Sequence, residues 1–89
     1  MARVVFTPQL QRHVPSPTCD VSGETLRSAL DAVFVDHQAL RGYVLDEQGH
    51  LRKHVAIFID GVRVRDRKQL SDAIRPESEI YVLQALSGG

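Results

Sequence analysis

Ile80-Tyr81-Val82-Leu83-Gln84-Ala85-Leu86-Ser87-Gly88-Gly89 ends the chain: a β-rich apolar run that passes directly into two glycines. Ile80 to Ala85 reads as a strand, because β-branched and aromatic residues follow one another without a breaker. Residues 86–89 are expected to be a flexible tail, with Leu86 the one apolar side chain they offer. Glycine has no Cβ and lets foreign backbone approach closely, so such a tail can thread a channel that larger residues would block. At an average glycine content of about 7%, a terminal Gly-Gly arises by chance in roughly 0.5% of chains. The alternative reading is a frayed terminus with no role.

Upstream, the best strand is Val55-Ala56-Ile57-Phe58-Ile59, and Asp60-Gly61 is the type I′ turn signal that folds it back onto Val62-Arg63-Val64. Val4-Val5-Phe6 predicts a first strand, stopped by Pro8. Pro8, Pro15 and Pro17 make residues 9–17 a loop. Thr18-Cys19-Asp20-Val21 predicts a short second strand returning antiparallel to the first. The clearest helix starts at Thr25, with Ser22 the alternative N-cap and Glu24 adding favourable charge at the positive end. Leu26, Ala29, Leu30, Val33 and Phe34 then repeat at the spacing of one buried helical face. Over residues 36–54 the periodicity fades: Gly42 and Gly49 interrupt it, Asp46-Glu47-Gln48-Gly49 is a turn, and no helix is predicted. Leu70, Ala73 and Ile74 suggest one helical turn before Pro76.

Two strands, a long amphipathic helix, then three more strands describe an α+β roll. A mixed sheet of four to five strands packs on one main helix. The first and last strands lie side by side and parallel, a pairing that needs a long crossover, which the helix supplies. This is the ubiquitin-like β-grasp order, in a single domain spanning 1–89.

Eleven acidic and eleven basic residues cancel, so net charge favours neither nucleic acid nor membrane. The N-terminal residues lack the apolar run of a signal peptide, no stretch is long enough to span a bilayer, and the single Cys19 fits a reducing compartment; the expectation is a cytoplasmic protein. Gly23, Gly42, Gly49 and Gly61 match neither common phosphate-loop pattern, so no nucleotide site is expected. No metal is expected either. His50 and His54, four residues apart in a stretch read as extended, would lie about 13 Å from each other, and His13 and His37 have no recognisable partner. Nothing near Cys19 suggests a depressed pKa.

Two surfaces remain as candidates for partner binding. If Val4, Phe6, Val55, Ile57, Ile59, Ile80 and Val82 face the helix, strand alternation turns Val5, Phe58, Tyr81 and Leu83 to the outer side of the sheet. There they form an apolar patch of the kind that marks partner surfaces, unless residues 36–54 cover it. Arg63, Arg65, Arg67 and Lys68, with Arg52 and Lys53 near in sequence, form a basic cluster. It is read either as charge protecting an edge strand or as a docking patch for an acidic partner. Aromatic stacking residues are too scarce for nucleic acid.

Gly23-Glu24-Thr25-Leu26, Val55–Gly61 and the run from Ile80 into Gly89 together resemble the MoaD/ThiS family of sulfur carriers, relatives of ubiquitin, over almost the whole chain. Many relatives carry proline where this chain has Gln84. The resemblance implies that the Gly89 carboxylate is adenylated by an E1-like activating enzyme, which holds the ATP. The adenylate is converted to a thiocarboxylate, and a sulfur-accepting synthase takes the sulfur, in molybdopterin-type or in cysteine or other biosynthesis. It further implies a free monomer with no catalytic residue and no bound cofactor of its own. The alternatives are a ubiquitin-like modifier conjugated through Gly89 and a β-grasp binding module whose Gly-Gly is incidental.

Overall fold

The structure, a computed structural model, describes residues 1–6 and 18–84. The expected loop over 9–17 and the tail residues Leu86, Ser87, Gly88 and Gly89 lie outside the described residues. Strands β1 (Ala2–Phe6), β2 (Cys19–Val21), β3 (Val55–Ile59), β4 (Val62–Arg63) and β5 (Glu79–Gln84) form one sheet in the order β2-β1-β5-β3-β4. β1 and β5 are parallel at the centre and every other pairing is antiparallel, so the sheet is mixed. Helices α1 (Leu26–Asp36) and α2 (Gln38–Val44) lie between β2 and β3.

The sequence accounts for α1 closely. Thr25 has extended backbone, and its hydroxyl accepts the N–H of Ser28 while the Ser28 hydroxyl accepts the N–H of Thr25, a reciprocal cap. Leu26, Ala29, Leu30, Val33 and Phe34 are all buried, on the face their spacing dictates. A Cβ on Gly23 would stand 2.7 Å from the Ser28 hydroxyl and 3.2 Å from the Ala29 nitrogen, so a larger residue here would crowd the cap at the helix start.

Two expectations fail, each for a physical reason. Residues 38–44 are helical although Gly42 interrupts the pattern. Leu40 and Val44, one turn apart, are fully buried, and Gly42 faces open space, where its missing side chain costs about 1 kcal/mol of propensity. Tertiary burial outweighs that cost. The expected helical turn around Leu70–Ile74 is absent. Leu70 stands at φ 56, and the carbonyls of Leu70 and Asp72 accept the N–H groups of Arg27 and Leu26. These donors are among the unsatisfied N–H groups that every helix start exposes. The segment is drawn out to cap α1, with Ala73 bridged to Thr25, and is therefore not free to coil on itself.

The hairpin turn is as expected: Asp60 and Gly61 both have positive φ, 51 and 83, the requirement of a type I′ turn. The Asp60 carboxylate also reaches across to β5, accepting the Glu79 N–H and the buried Ser78 hydroxyl. These bonds, the Glu79 N–H first, hold its carboxyl below the ordinary carboxylate range.

Asp66 organises the loop that caps α1. It accepts the Ser71 hydroxyl at 2.5 Å and the N–H groups of Lys68, Gln69 and Ser71. These bonds, that from the Ser71 hydroxyl foremost, lower its pKa to about 2. A carboxyl depressed in the folded state contributes stability that is complete above its unfolded pKa of about 3.9 and is lost as pH falls toward 2. Asp66→Asn is therefore expected to lower the melting temperature at neutral pH and to flatten its fall between about pH 4 and pH 2. Melting curves for the two proteins that run parallel through that window would remove Asp66 from this role.

Candidate functional site

The site is built around β5, whose register fixes what lies beside the root of the tail. Val5 of β1 and Phe58 of β3 are both partners of Tyr81, and Arg63 of β4 is the partner of Phe58. The expected residues Val5, Tyr81 and Phe58 thus form one row across three adjacent strands, with side chains about 5 Å from neighbour to neighbour. Leu83 stands two residues further along β5, opposite Ala56.

Burial follows the predicted alternation for the residues named on β1 and β5; on β3 it does not, since Ala56, on the outer face between Val55 and Ile57, is buried as well. Val4, Phe6, Val55, Ile57, Ile80 and Val82 are at most 1% exposed, whereas Tyr81 is 40% exposed and Val5, Phe58 and Leu83 are half-buried. Ile59 is partly buried and packs against the core. Residues 36–54 send Leu40, Val44, Leu45 and Leu51 into the same core cluster as α1, a cluster that includes none of the four outer residues. The Tyr81 hydroxyl donates to the Glu79 carboxylate on the same face, which gives the apolar row a polar border.

The predicted basic cluster divides. Arg63 is exposed on β4, a two-residue strand at the sheet edge, and Arg65 is exposed just beyond it. Arg67 is turned inward, with its Nη2 donating to the carbonyls of Arg52 at 2.6 Å and Val55 at 2.9 Å. Lys68 is exposed beside it. Arg67 and Lys68 share a groove with Arg52 and Lys53, which Arg63 and Arg65 do not line. Sequence reasoning had noted Arg52 and Lys53 only as neighbours, since their approach to Arg67 depends on the Leu51 N–H bonding the Arg67 carbonyl.

Cys19 is half-buried, and burial, followed by the Asp20 carboxylate, pushes its thiol pKa up, away from thiolate chemistry. Among the described residues no group of three or more His, Cys, Asp or Glu is placed to hold a metal ion, and no helix is long and apolar enough to cross a membrane. His13 lies outside the described residues. The candidate reactive segment, Leu86 to Gly89, follows Gln84, the last residue of β5, with only Ala85 between them in sequence.

No family model and no curated protein matches the chain by sequence. Solved structures do match it in shape. Small archaeal modifier protein 1 (SAMP1) from Haloferax volcanii superimposes with a TM-score of 0.75 at 25% identity, covering 99% of this chain and 98% of that one. A chain of the Amycolatopsis orientalis BexX/CysO complex gives 0.83 at 19% identity, with all of both chains covered. Mycobacterium tuberculosis CysO gives 0.81 at 21% identity, covering 97% of this chain and all of that one. In fold, the chain is a ubiquitin-like β-grasp protein, similar in shape to SAMP1 and CysO.

Proposed function

We propose that this chain is a sulfur carrier whose C-terminal glycine is activated by an ATP-dependent partner and converted to a thiocarboxylate. The observation that supports the reading best is positional: β5, a central strand of the β-grasp sheet, runs with five residues to spare into Leu86-Ser87-Gly88-Gly89. A carboxylate is a poor electrophile until one of its oxygens becomes a leaving group. The Gly89 carboxylate attacks the α-phosphate of ATP on the partner, pyrophosphate departs, and a sulfur nucleophile displaces AMP from the acyl-adenylate. Terminal glycine presents the least steric resistance to both steps. In this reading the chain is a substrate and carrier and its partner the catalyst. The adenylating enzyme docks on the face of Val5, Phe58, Tyr81 and Leu83. A biosynthetic synthase then accepts the sulfur, with a molybdopterin-type acceptor the first to test and cysteine or another metabolite next.

Structural similarity to proteins called small archaeal modifiers gives a second reading, in which a lysine amine of another protein attacks the same adenylate and forms an isopeptide. Intact mass of the protein purified from its own host separates the two. Replacement of one oxygen by sulfur is the expected result. A ladder of conjugates would establish the modifier, and an unmodified chain that no adenylating enzyme turns over would remove both.

A further inference from the structure

The end of the sheet from which the tail departs carries a basic groove. Gln84, the last residue of β5, is the register partner of Val55, the first residue of β3. Residues 52–54 lead directly into Val55, and the Val55 carbonyl is held by the Arg67 guanidinium. Around this point lies an open groove of about 590 Å³, floored by Leu51 and lined by Arg52, Lys53, Arg67, Lys68 and the histidines His50 and His54. Its one carboxylate among the described residues, Asp46, already accepts the N–H groups of Gln48 and His50.

The groove is preorganised at its base and open at its rim. Arg52 is fixed by its Nε–H bond to the Gly42 carbonyl and Arg67 by its two carbonyl bonds, so neither guanidinium loses much freedom on meeting an anion. Arg67 spends one terminal nitrogen on these bonds, and a guanidinium has five N–H donors. Lys53 and Lys68 are exposed, and their ammonium groups make no hydrogen bond or ion pair among the described residues. Four positive charges, two of them on fixed guanidiniums, thus line one groove of a chain whose net charge is zero.

We infer that this groove receives an acidic surface of the adenylating enzyme and so aligns the tail with that enzyme's active site. The inference rests on the carrier reading above and names the chemistry by which the partner is recognised there. The occupant is a protein surface because the groove is open and sits where the tail begins. Gly89 is five residues past Gln84, a reach of at most about 18 Å. A partner gripping the groove therefore holds the reactive carboxylate within that radius. Complementary charge at such a place raises the rate of productive encounter and fixes register, and salt weakens it.

The test is ATP–pyrophosphate exchange by the purified cognate adenylating enzyme, titrated with the full chain. Lys53→Glu/Lys68→Glu is expected to raise the KM for the chain at least tenfold at about 50 mM salt, with kcat within twofold, and to lose most of that effect at about 0.5 M, where the Debye length falls to a few ångströms. Lys53→Gln/Lys68→Gln is expected to fall between, which guards against misfolding of the charge-reversed variant. Arg75→Glu, exposed and away from both the groove and the outer face, changes net charge as much as the double glutamine variant and is expected to change KM less than threefold. An unchanged KM in the Lys53/Lys68 variants overturns the proposal, as does a loss in Arg75→Glu equal to that of the glutamine variant, which would make the effect one of overall charge. Absence of exchange with the unsubstituted chain would remove the carrier reading and this proposal together, whereas exchange with an unchanged KM removes this proposal alone.

Discussion

Deleting Gly89 is expected to cut ATP–pyrophosphate exchange to below about 1% of the full-length rate while leaving the melting temperature unchanged. Removing one residue draws the terminal carboxylate back by about 3.5 Å. In a site that positions reacting atoms, a misplacement of about 1 Å already costs on the order of 10²-fold. The fold has no reason to respond, because the core cluster takes its last member from Val82, seven residues before the deletion. Gly89→Ala probes the same point more gently: it keeps the length and adds one methyl group where the tail must thread. The order full-length, then Gly89→Ala, then deletion is the expected ranking of exchange rates. Exchange that survives the deletion would show that the carboxylate of Gly89 is not the group activated, whatever the fold resembles.

The parts of the molecule that were legible from sequence are those where local chemistry and tertiary structure ask for the same thing. The Thr25 cap, the Leu26–Phe34 stripe, the Asp60-Gly61 turn and the alternation along β5 each satisfy their own backbone and bury their own apolar face. Reading them in order sufficed for the parallel pairing of β1 with β5, since one helix crossover allows little else. Residues 36–54 and 66–74 were harder because their conformations answer distant partners. Arg27 makes this concrete. On the helical wheel it is an ordinary solvent-facing residue, yet its guanidinium donates to the carbonyls of Gly49, Lys68 and Gln69, tying two loops to the face of α1. A Cβ at Gly49 would meet that same guanidinium at 3.4 Å. No periodicity announces a contact between residues twenty to forty positions apart. The signal for α2 was present, since Leu40, Tyr43 and Val44 stand at i, i+3 and i+4, but Gly42 between them carried more weight than it does in the fold. The basic groove was hidden for the same reason as the loops: Arg52 and Arg67 are brought together by main-chain bonds and not by any sequence spacing.

Leu83→Ala is expected to weaken binding to the adenylating enzyme roughly thirtyfold, the factor that corresponds to an interface hot spot of about 2 kcal/mol. Leu83 is half-buried on the outer face, one step along β5 from the exposed Tyr81, whereas Ile80 on the same strand is fully buried. The two faces of one strand therefore give paired and opposite expectations. Ile80→Ala opens a cavity between sheet and α1 and is expected to cost about 2–5 kcal/mol of folding stability. Its effect on partner affinity should be small wherever the protein remains folded. Leu83→Ala is expected to cost far less stability, because its neighbours across the strand, Ala56 and the outer row, lie outside the core cluster. Position adds to the argument. Leu83 precedes Gly89 by six residues, about 20 Å of extended chain, so a partner that seats this side chain also limits where the carboxylate goes. Tyr81→Ala should behave as Leu83→Ala does, since both belong to the outer face and Tyr81 is the centre of the row formed with Val5 and Phe58. Thermal melts and binding isotherms on the three variants decide the matter. If Leu83→Ala leaves affinity unchanged, the partner does not use this face, and the basic groove and the tail must carry the recognition between them.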